Sequence, residues 1–267
     1  VLISGAAGGL GKAFAAECAA RGWNLFLTDL CAPPLAALCD GMQRLYGVEA
    51  QYFACDLTQP ADREALWEYA RREGLRLRGA LNVAGLDFEG PFGERKVEEL
   101  RTIIRLNIEA TVEMTHRAIQ FRDPAREMLI VNVCSLAGYY PMPLKAMYAA
   151  SKRFLLDLSL ALHHELRPQG IHVLALCPGG MPTNQEVIAS IDSQGFWGWA
   201  TAMNTGDVAA GAIQRALAGR AVYVPGWLNQ MLCWLGGLFP AGMVAGMIQQ
   251  RWAKTRQRAA QAAALAR

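Results

Sequence analysis

Residues 1–12 of the chain read VLISGAAGGLGK, and this stretch decides the fold. Its apolar start predicts a short strand, and its glycines permit the positive φ angles and close backbone approach of a tight turn. Such a turn, when it leads into a helix, presents backbone N–H groups and the positive helix end to a phosphate. The stretch therefore predicts a strand, a turn and a helix that either bind a nucleotide or form a tight connection only. Because the chain opens inside this strand, we expect further residues to precede Val1.

Short apolar runs and helical patterns alternate along the rest of the chain. Seven runs predict strands, at 1–4, 25–28, 51–55, 79–83, 128–133, 171–176 and 221–224. Six segments between them have helical character, at 10–21, 33–46, 60–73, 97–120, 146–167 and 206–218. This rhythm predicts an α/β fold, a doubly wound Rossmann-type sheet of seven parallel strands with helices on both faces. We assign 1–225 to one such domain, with a substrate loop at 180–206, and 226–267 to a C-terminal helical extension.

The composition sets limits on the kind of protein. The chain has 267 residues, 53% of them hydrophobic, and a net charge of +3. These values fit a well-buried globular protein, and the charge is too small to indicate a nucleic-acid partner. The seven cysteines form no C-x-x-C pair, which favours buried thiols in a reducing, cytoplasmic location. The four histidines lack the spacing of metal ligands, so we expect no metal site.

An acidic residue ends the second predicted strand. Asp29 lies 24 residues beyond Gly5, where an acid can accept both hydroxyls of an adenosine ribose and repel a 2′-phosphate. The alternative is an ordinary helix-capping aspartate. No Lys or Arg lies between Ser4 and Gly11 to receive a 2′-phosphate. The turn and the acid together predict a dinucleotide site that prefers NAD to NADP.

Short motifs recur at the ends of the later strands and on two of the helices. In chain order they are Asp56-Leu57, Asn82-Val83-Ala84-Gly85, Asn107 within Leu106-Asn107-Ile108, Ser135, Tyr148-Ala149-Ala150-Ser151-Lys152, and Pro178-Gly179-Gly180-Met181-Pro182-Thr183. In this order they resemble the classical short-chain dehydrogenase/reductase (SDR) family over about residues 1–225. The glycine turn matches that family's T-G-x-x-x-G-x-G with Ser4 in place of Thr, and Val83 replaces the second Asn of its N-N-A-G.

The resemblance implies which residues form the site. The residues that would hold the nicotinamide dinucleotide are Gly5, Gly9, Leu10, Gly11, Asp29, Asp56, Leu57, Asn82, Ala84, Gly85, Tyr148, Lys152, Pro178, Gly179 and Thr183. The catalytic residues would be Asn107, Ser135, Tyr148 and Lys152. The expected activity is the interconversion of an alcohol and a ketone by hydride transfer.

The spacing of Tyr148 and Lys152 suits proton transfer. They are one helical turn apart and share a face. A free phenol has a pKa of about 10, and a nearby ammonium lowers that pKa by favouring the phenolate. We therefore expect Lys152 to lower the pKa of Tyr148, which then acts as general acid or base. The resemblance implies that Ser135 holds the substrate oxygen, that Lys152 also hydrogen-bonds the nicotinamide ribose, and that Asn107 anchors a water molecule.

The substrate loop contains clustered aromatic residues. Phe196-Trp197-Gly198-Trp199 lies within it and predicts either an apolar substrate wall or ordinary packing against the tail. Residues near the catalytic tyrosine are also candidates for the pocket wall; they are Tyr139, Tyr140, Met142 and Met147. We expect a small apolar alcohol or ketone as substrate.

The tail has a composition of its own. Residues 221–250 carry no charged side chain, and their breaks predict two short helices at about 227–236 and 240–252. After Asp207 no acid occurs, whereas seven basic residues do: Arg215, Arg220, Arg251, Lys254, Arg256, Arg258 and Arg267. This pattern predicts either peripheral contact of 226–258 with an anionic membrane or a lid or subunit interface in a homo-oligomer, a dimer or a tetramer.

Two classes of function remain open at this point. The first is an NAD-linked alcohol dehydrogenase or ketone reductase. The second is a non-catalytic dinucleotide-sensing or membrane-docked scaffold protein on the same fold. A sensor could lose Ser135, Tyr148 or Lys152 without penalty, and all three are present. Their presence favours the enzyme.

Overall fold

The computed structural model describes residues 1–182, 192, 199, 201–250 and 252. Seven parallel strands form one sheet in the order β3-β2-β1-β4-β5-β6-β7. The strands are β1 Leu2–Ser4, β2 Leu25–Asp29, β3 Ala50–Ala54, β4 Gly79–Asn82, β5 Met128–Val133, β6 Ile171–Leu176 and β7 Val222–Tyr223. The predicted fold class is confirmed, because the strand number, the parallel pairing and the Rossmann-type order all agree with it.

Helices connect the strands. They are α1 Gly9–Ala20, α2 Ala32–Tyr46, α3 Pro60–Arg72, α4 Val97–Ile103, α5 Thr111–Gln120, α6 Ala146–Leu166, α7 Thr205–Leu217 and α8 Trp227–Gly237. Residues 241–250 form a further helix of the described residues, α9. A π-helix, Ile104–Ala110, joins α4 to α5. The helix predicted over 97–120 is therefore present but contains a wider turn, a form often found at functional sites.

Both faces of the sheet are covered. Successive side chains of a strand point to opposite faces, so Leu2 and Ile3 enter different cores. Ile3 joins the core beneath α1, α2 and α7, and Leu2 joins the core with α3, α5 and α6. Both side chains are almost fully buried. Their burial explains why the strands read as continuous apolar runs and not as alternating ones.

The topology places a crevice at the carboxyl ends of β1 and β4, where the chain changes direction across the sheet. Here the Ser4 hydroxyl accepts hydrogen bonds from the backbone N–H groups of Val83 at 3.2 Å and Ala84 at 3.3 Å. Serine thus retains the hydroxyl function of the threonine that it replaces. The contact fixes the first and fourth strand ends against each other and aligns the segments that follow them.

The predicted tail helices are also present. α8 and α9 match the expected 227–236 and 240–252 within a few residues. Among the described residues, no helix is both long and apolar enough to cross a membrane.

Candidate active site

The glycine turn after β1 is packed too tightly for side chains. Gly5 has a φ of +65°, and a Cβ on it would lie 2.8 Å from the backbone nitrogen of Ala84. A Cβ on Gly11 would lie 2.1 Å from the carbonyl oxygen of Gly5. The turn and the first turn of α1 therefore interlock, and glycine is required at both positions.

The start of α1 is suited to an anion. The helix begins at Gly9 without a side-chain cap, and its first turn, which includes Leu10 and Gly11, carries no acidic residue. Its first backbone N–H groups and positive dipole end are therefore available to a phosphate. This local geometry agrees with the predicted dinucleotide site.

Asp29 lies against this turn. One carboxylate oxygen accepts the N–H of Ala7 at 2.9 Å and the other accepts the N–H of Leu30 at 2.8 Å. These bonds hold the half-buried carboxylate at the edge of the crevice. Each oxygen keeps a second lone pair, so the group can still accept hydrogen bonds from a ribose.

The motif after β3 forms a tied turn. The Asp56 carboxylate accepts hydrogen bonds from both the N–H and the hydroxyl of Thr58, at 2.9 and 2.7 Å. Leu57 is buried, and its carbonyl accepts a hydrogen bond from Arg63 at 2.8 Å. The predicted adenine-contacting pair therefore lies at a strand end in a fixed conformation.

Asn82 has a role that the motif did not reveal. Its amide nitrogen donates to the Thr115 hydroxyl at 2.9 Å and to the Asn132 amide oxygen at 2.8 Å, all within the core. Asn132 in turn donates to Ser159 at 2.9 Å. The side chain thus ties β4 to β5, α5 and α6. It positions the segment through Ala84 and Gly85, and the part in cofactor binding expected of Asn82 stays a prediction.

The catalytic candidates are brought together above β5. The half-buried Ser135 acts on the half-buried Tyr148 to lower the pKa of its phenol, and Ser135 also caps a short 3₁₀ helix by accepting the N–H of Ala137 at 3.1 Å. Lys152 is 3% exposed and donates to the carbonyl of Val133 at 2.7 Å. Its Nζ lies 5.7 Å from the centroid of the Tyr148 ring. Residues from the end of one strand, β5, and from one helix, α6, therefore form a single site.

Asn107 lies in the π-helix and is fully buried. Its amide group bonds both the N–H and the carbonyl of Leu86 at 2.9 Å, and it donates to the Ser151 hydroxyl at 3.0 Å. A Cβ on Gly85 would lie 3.3 Å from the Asn107 amide oxygen and 3.1 Å from the Nζ of Lys152. Asn107 thus links the segment after β4 to the catalytic helix, and its oxygen borders the same space as Lys152.

The acid–base properties of the site differ from the sequence-based expectation. Burial raises the pKa of Tyr148 above its ordinary value, although the Ser135 hydrogen bond and the Lys145 ammonium oppose the rise. Burial likewise lowers the pKa of Lys152. The expectation that Lys152 lowers the pKa of Tyr148 is therefore wrong for the polypeptide by itself. Loss of water around the phenol outweighs the nearby cations.

A second cation beside Tyr148 was missed by sequence reasoning. The Nζ of Lys145 lies 5.9 Å from the Tyr148 ring centroid, 2.6 Å from Asp87 and 3.1 Å from Glu89. The neighbouring N–H of Gly90 donates to the carbonyl of Leu144 at 2.8 Å. These contacts form a clasp between residues 87–90 and 144–145. The only signal in the sequence is proximity to motifs, because Asp87 follows Gly85 by two positions and Lys145 precedes Tyr148 by three.

The segment after β6 is described in part. The carbonyl of Pro178 accepts the N–H of Leu136 at 3.0 Å. A Cβ on Gly179 would lie 2.7 Å from the carbonyl oxygen of Thr201. Thr183 and the aromatic residues 196–198 lie outside the described residues, so the roles expected of them stay predictions. Trp199 is half exposed and donates to Asp192 at 2.9 Å.

One of the candidate pocket residues near Tyr148, Tyr140, contacts the tail. The Tyr140 hydroxyl donates to the carbonyl of Leu232 at 2.7 Å, with that of Cys233 at 3.0 Å. A Cβ on Gly236 would lie 2.4 Å from the same hydroxyl. α8 therefore packs directly against the wall of the site.

This sheet order, with a glycine turn at its switch point and a Ser–Tyr–Lys site at the strand ends, defines a Rossmann-type nucleotide-binding class. The model of the short chain dehydrogenase family matches residues 1–191. The chain belongs to this family of oxidoreductase enzymes, as the motifs predicted.

Individual relatives agree with this membership. A very-long-chain 3-oxoacyl-CoA reductase from Phaeosphaeria nodorum is 34% identical over 176 residues, which are 64% of this chain and 52% of that protein. The match thus spans about half the length of this relative. A short-chain dehydrogenase from Sphingobium yanoikuyae in complex with NADPH has 29% identity and a TM-score of 0.75, covering 89% of this chain and 93% of its own. A 3-oxoacyl-[acyl-carrier protein] reductase from Brucella melitensis with bound NAD has 26% identity and a TM-score of 0.73, covering 84% and 88%.

Proposed function

We propose that this chain interconverts an apolar alcohol and the corresponding ketone with a nicotinamide dinucleotide, preferably NAD. The observation that carries the proposal is the buried Lys152, whose Nζ lies 5.7 Å from the Tyr148 ring centroid, together with Ser135, which acts on the same phenol to lower its pKa. A buried phenol that faces a hydroxyl and two cations is a group built to exchange a proton. A scaffold protein has no need of this arrangement.

The residues present fit the implied cofactor. The close-packed glycine turn and the uncapped start of α1 suit a pyrophosphate, and Asp29 suits a ribose. Gly85 contributes no side chain to the space that Lys152 and Asn107 border. A bound dinucleotide would supply or accept the hydride.

The protein's own residues would divide the remaining work. Ser135 donates a hydrogen bond to the substrate oxygen and stabilises charge that develops there. Tyr148 gives its proton to that oxygen during reduction, or takes the proton from it during oxidation. Lys152 helps to bind the cofactor. Asn107 fixes the segment after β4 against α6.

NAD in preference to NADP is the finer part of the proposal. The negative charge of Asp29, held by Ala7 at the rim, would repel a 2′-phosphate. Structures with NADPH and with NAD both occur among the similar proteins. The preference for NAD therefore rests on the Asp29 carboxylate. An apolar substrate agrees with the acyl substrates named for two of the relatives. A cytoplasmic homo-oligomer, with 1–225 as the catalytic domain, completes the proposal.

The test is a panel of apolar alcohols and ketones assayed with NAD(H) and NADP(H). Tyr148→Phe should lower turnover by about 10²–10⁴-fold and leave NADH affinity unchanged by fluorescence titration. Tyr46→Phe, at an exposed tyrosine of α2, is the matched control. Near-normal turnover in Tyr148→Phe would contradict the mechanism. NADH binding without turnover of any panel member would support the sensor alternative.

Cofactor choice has its own experiment. Asp29→Asn removes the charge but keeps the shape of the side chain. Loss of a charged hydrogen bond to the ribose, worth roughly 1.5–3 kcal/mol, should weaken NADH binding by about 10–100-fold, while NADPH binding improves. A wild-type preference for NADPH would show that Asp29 does not select the cofactor.

A further inference from the structure

Exposed apolar side chains line the outer face of the tail. The exposed side chains Trp227 and Trp234 of α8 and Leu238, which directly follows the helix, are 76%, 67% and 63% exposed. They follow one another at seven and four residues, with Met231 filling the same stripe, so they lie on one face of the helix. We name the tail surface by its six most exposed members, which are Trp227, Trp234, Leu238, Phe239, Met243 and Met247.

The opposite face of the tail is fixed to the protein. Asn229 is 1% exposed and donates to the carbonyl of Thr201, outside the tail, at 3.2 Å. Gly236 packs against Tyr140, and Val244 of α9 is buried. The apolar side chains of the tail surface are therefore held outward by polar anchors. An apolar patch that a fold holds in water in this way marks an interaction site.

The distribution of charge in the tail indicates the kind of partner that the tail surface binds. Residues 221–250 have no charged side chain, and the seven basic residues after Asp207 are accompanied by no acid. Four of the seven, Arg251, Lys254, Arg256 and Arg258, directly follow α9 in the sequence. Apolar helix faces with tryptophan and a basic sequence beside them suit an anionic lipid surface. Two copies paired through the tail surface would instead bring like charges together.

We propose that the tail surface lies on an anionic membrane, with α8 and α9 in the plane of the headgroups. α8 has 11 residues and is about 16 Å long, roughly half of a bilayer core, so it lies on the membrane and does not cross it. The proposal rests on the surface alone and not on the proposed reaction.

The tail lies beside the active site, so contact of the tail with a membrane would bring the site close to the lipid. Trp252, just beyond α9, lies 5.9 Å from the Nζ of Lys145 by its ring centroid, and Lys145 adjoins Tyr148. Tyr140 lies between the catalytic serine and α8. The helices on the membrane thus border the active site on two sides. An apolar substrate dissolved in lipid would reach the site without passing through bulk water.

Vesicle co-sedimentation of the full chain tests the proposal, without cofactor or substrate. The probes are phosphatidylcholine vesicles and vesicles in which a third of the lipid is phosphatidylserine. We expect binding to the anionic vesicles that weakens as salt rises. Trp227→Ser/Trp234→Ser should reduce binding by tenfold or more, since a buried tryptophan contributes more than a tenfold factor in partitioning. Both side chains are exposed, so the melting temperature should not change.

Leu45→Ser is the matched control, because Leu45 is 76% exposed on α2 and is not part of the tail surface. Equal binding of the double variant and the wild type would overturn the proposal, as would absence of binding to anionic vesicles at low salt. A dimer in light scattering that the double variant dissociates, without vesicle binding, would assign the surface to a second copy instead.

Discussion

Replacement of Lys145 by methionine tests how the charges around Tyr148 affect its pKa. Two unit charges about 6 Å apart interact by roughly 3 kcal/mol at an effective dielectric constant of about 20, which corresponds to roughly 2 pH units. The Lys145 side chain is 20% exposed, and Asp87 and Glu89 share its charge, so its own effect on Tyr148 is smaller. Its removal also leaves Asp87, which raises the pKa of Tyr148, without its partner. We expect the pKa of Tyr148 to rise further in the variant.

The pH profile of kcat/KM for alcohol oxidation measures this shift. Oxidation needs the phenolate, so activity rises with pH up to the pKa of Tyr148. In Lys145→Met this rise should move to higher pH, and at a fixed pH below it the rate should fall by about 10–100-fold. Lys145→Arg should keep the wild-type profile, and Lys96→Met is the control for loss of an exposed lysine. Lys145→Met/Asp87→Asn should move the profile back. An unchanged profile in Lys145→Met, or one moved to lower pH, would refute the reasoning.

Three further predictions concern the scaffold of the site. Gly11→Ala places a Cβ 2.1 Å from the Gly5 carbonyl oxygen, so NADH affinity and melting temperature should both fall. A tolerated Gly11→Ala would contradict the interlocked turn. Gly41→Ala is the control, because Gly41 has open space inside α2, and this change should stabilise the protein by about 0.5–1 kcal/mol. Asn82→Leu removes the buried donor that both Thr115 and Asn132 accept from and should lower the free energy of unfolding by about 2–4 kcal/mol in urea denaturation, against less than about 1 kcal/mol for the exposed Asn24→Ala. Asn107→Ala removes three hydrogen bonds and should lower kcat more than NADH affinity; the reverse order would show that it serves the cofactor alone.

The fold was accessible from sequence because its signals are local. Seven apolar runs correspond to seven strands, as the buried Leu2 and Ile3 of β1 illustrate, and the helical patterns between them set the parallel connections. The π-helix that contains Asn107 was not predicted, because a widened turn has the same hydrophobic pattern as a regular one. The tail helices were found from composition, but which of their faces points outward depends on tertiary anchors such as Asn229.

The site was predictable as a set of residues and less so as a set of roles. The motifs identified Ser135, Tyr148 and Lys152, which the structure brings together. They attributed Asn82 to the cofactor, whereas its hydrogen bonds belong to the core. They also gave the wrong direction for the pKa of Tyr148, because burial is a property of the whole packed structure and a four-residue spacing does not encode it. The Lys145–Asp87 pair spans 58 positions and has no motif.

The clasp between residues 87–90 and 144–145 distinguishes one side of the candidate active site from the other. Its ion pair and backbone hydrogen bond join the segment after β4 to the catalytic helix, so a mutation on that side also disturbs Tyr148. The other side, formed by α8, contacts the site through Tyr140, whose hydroxyl donates to the carbonyl of Leu232. A change of substrate preference is therefore best sought on the second side, where the walls can be altered while the acid–base chemistry is kept.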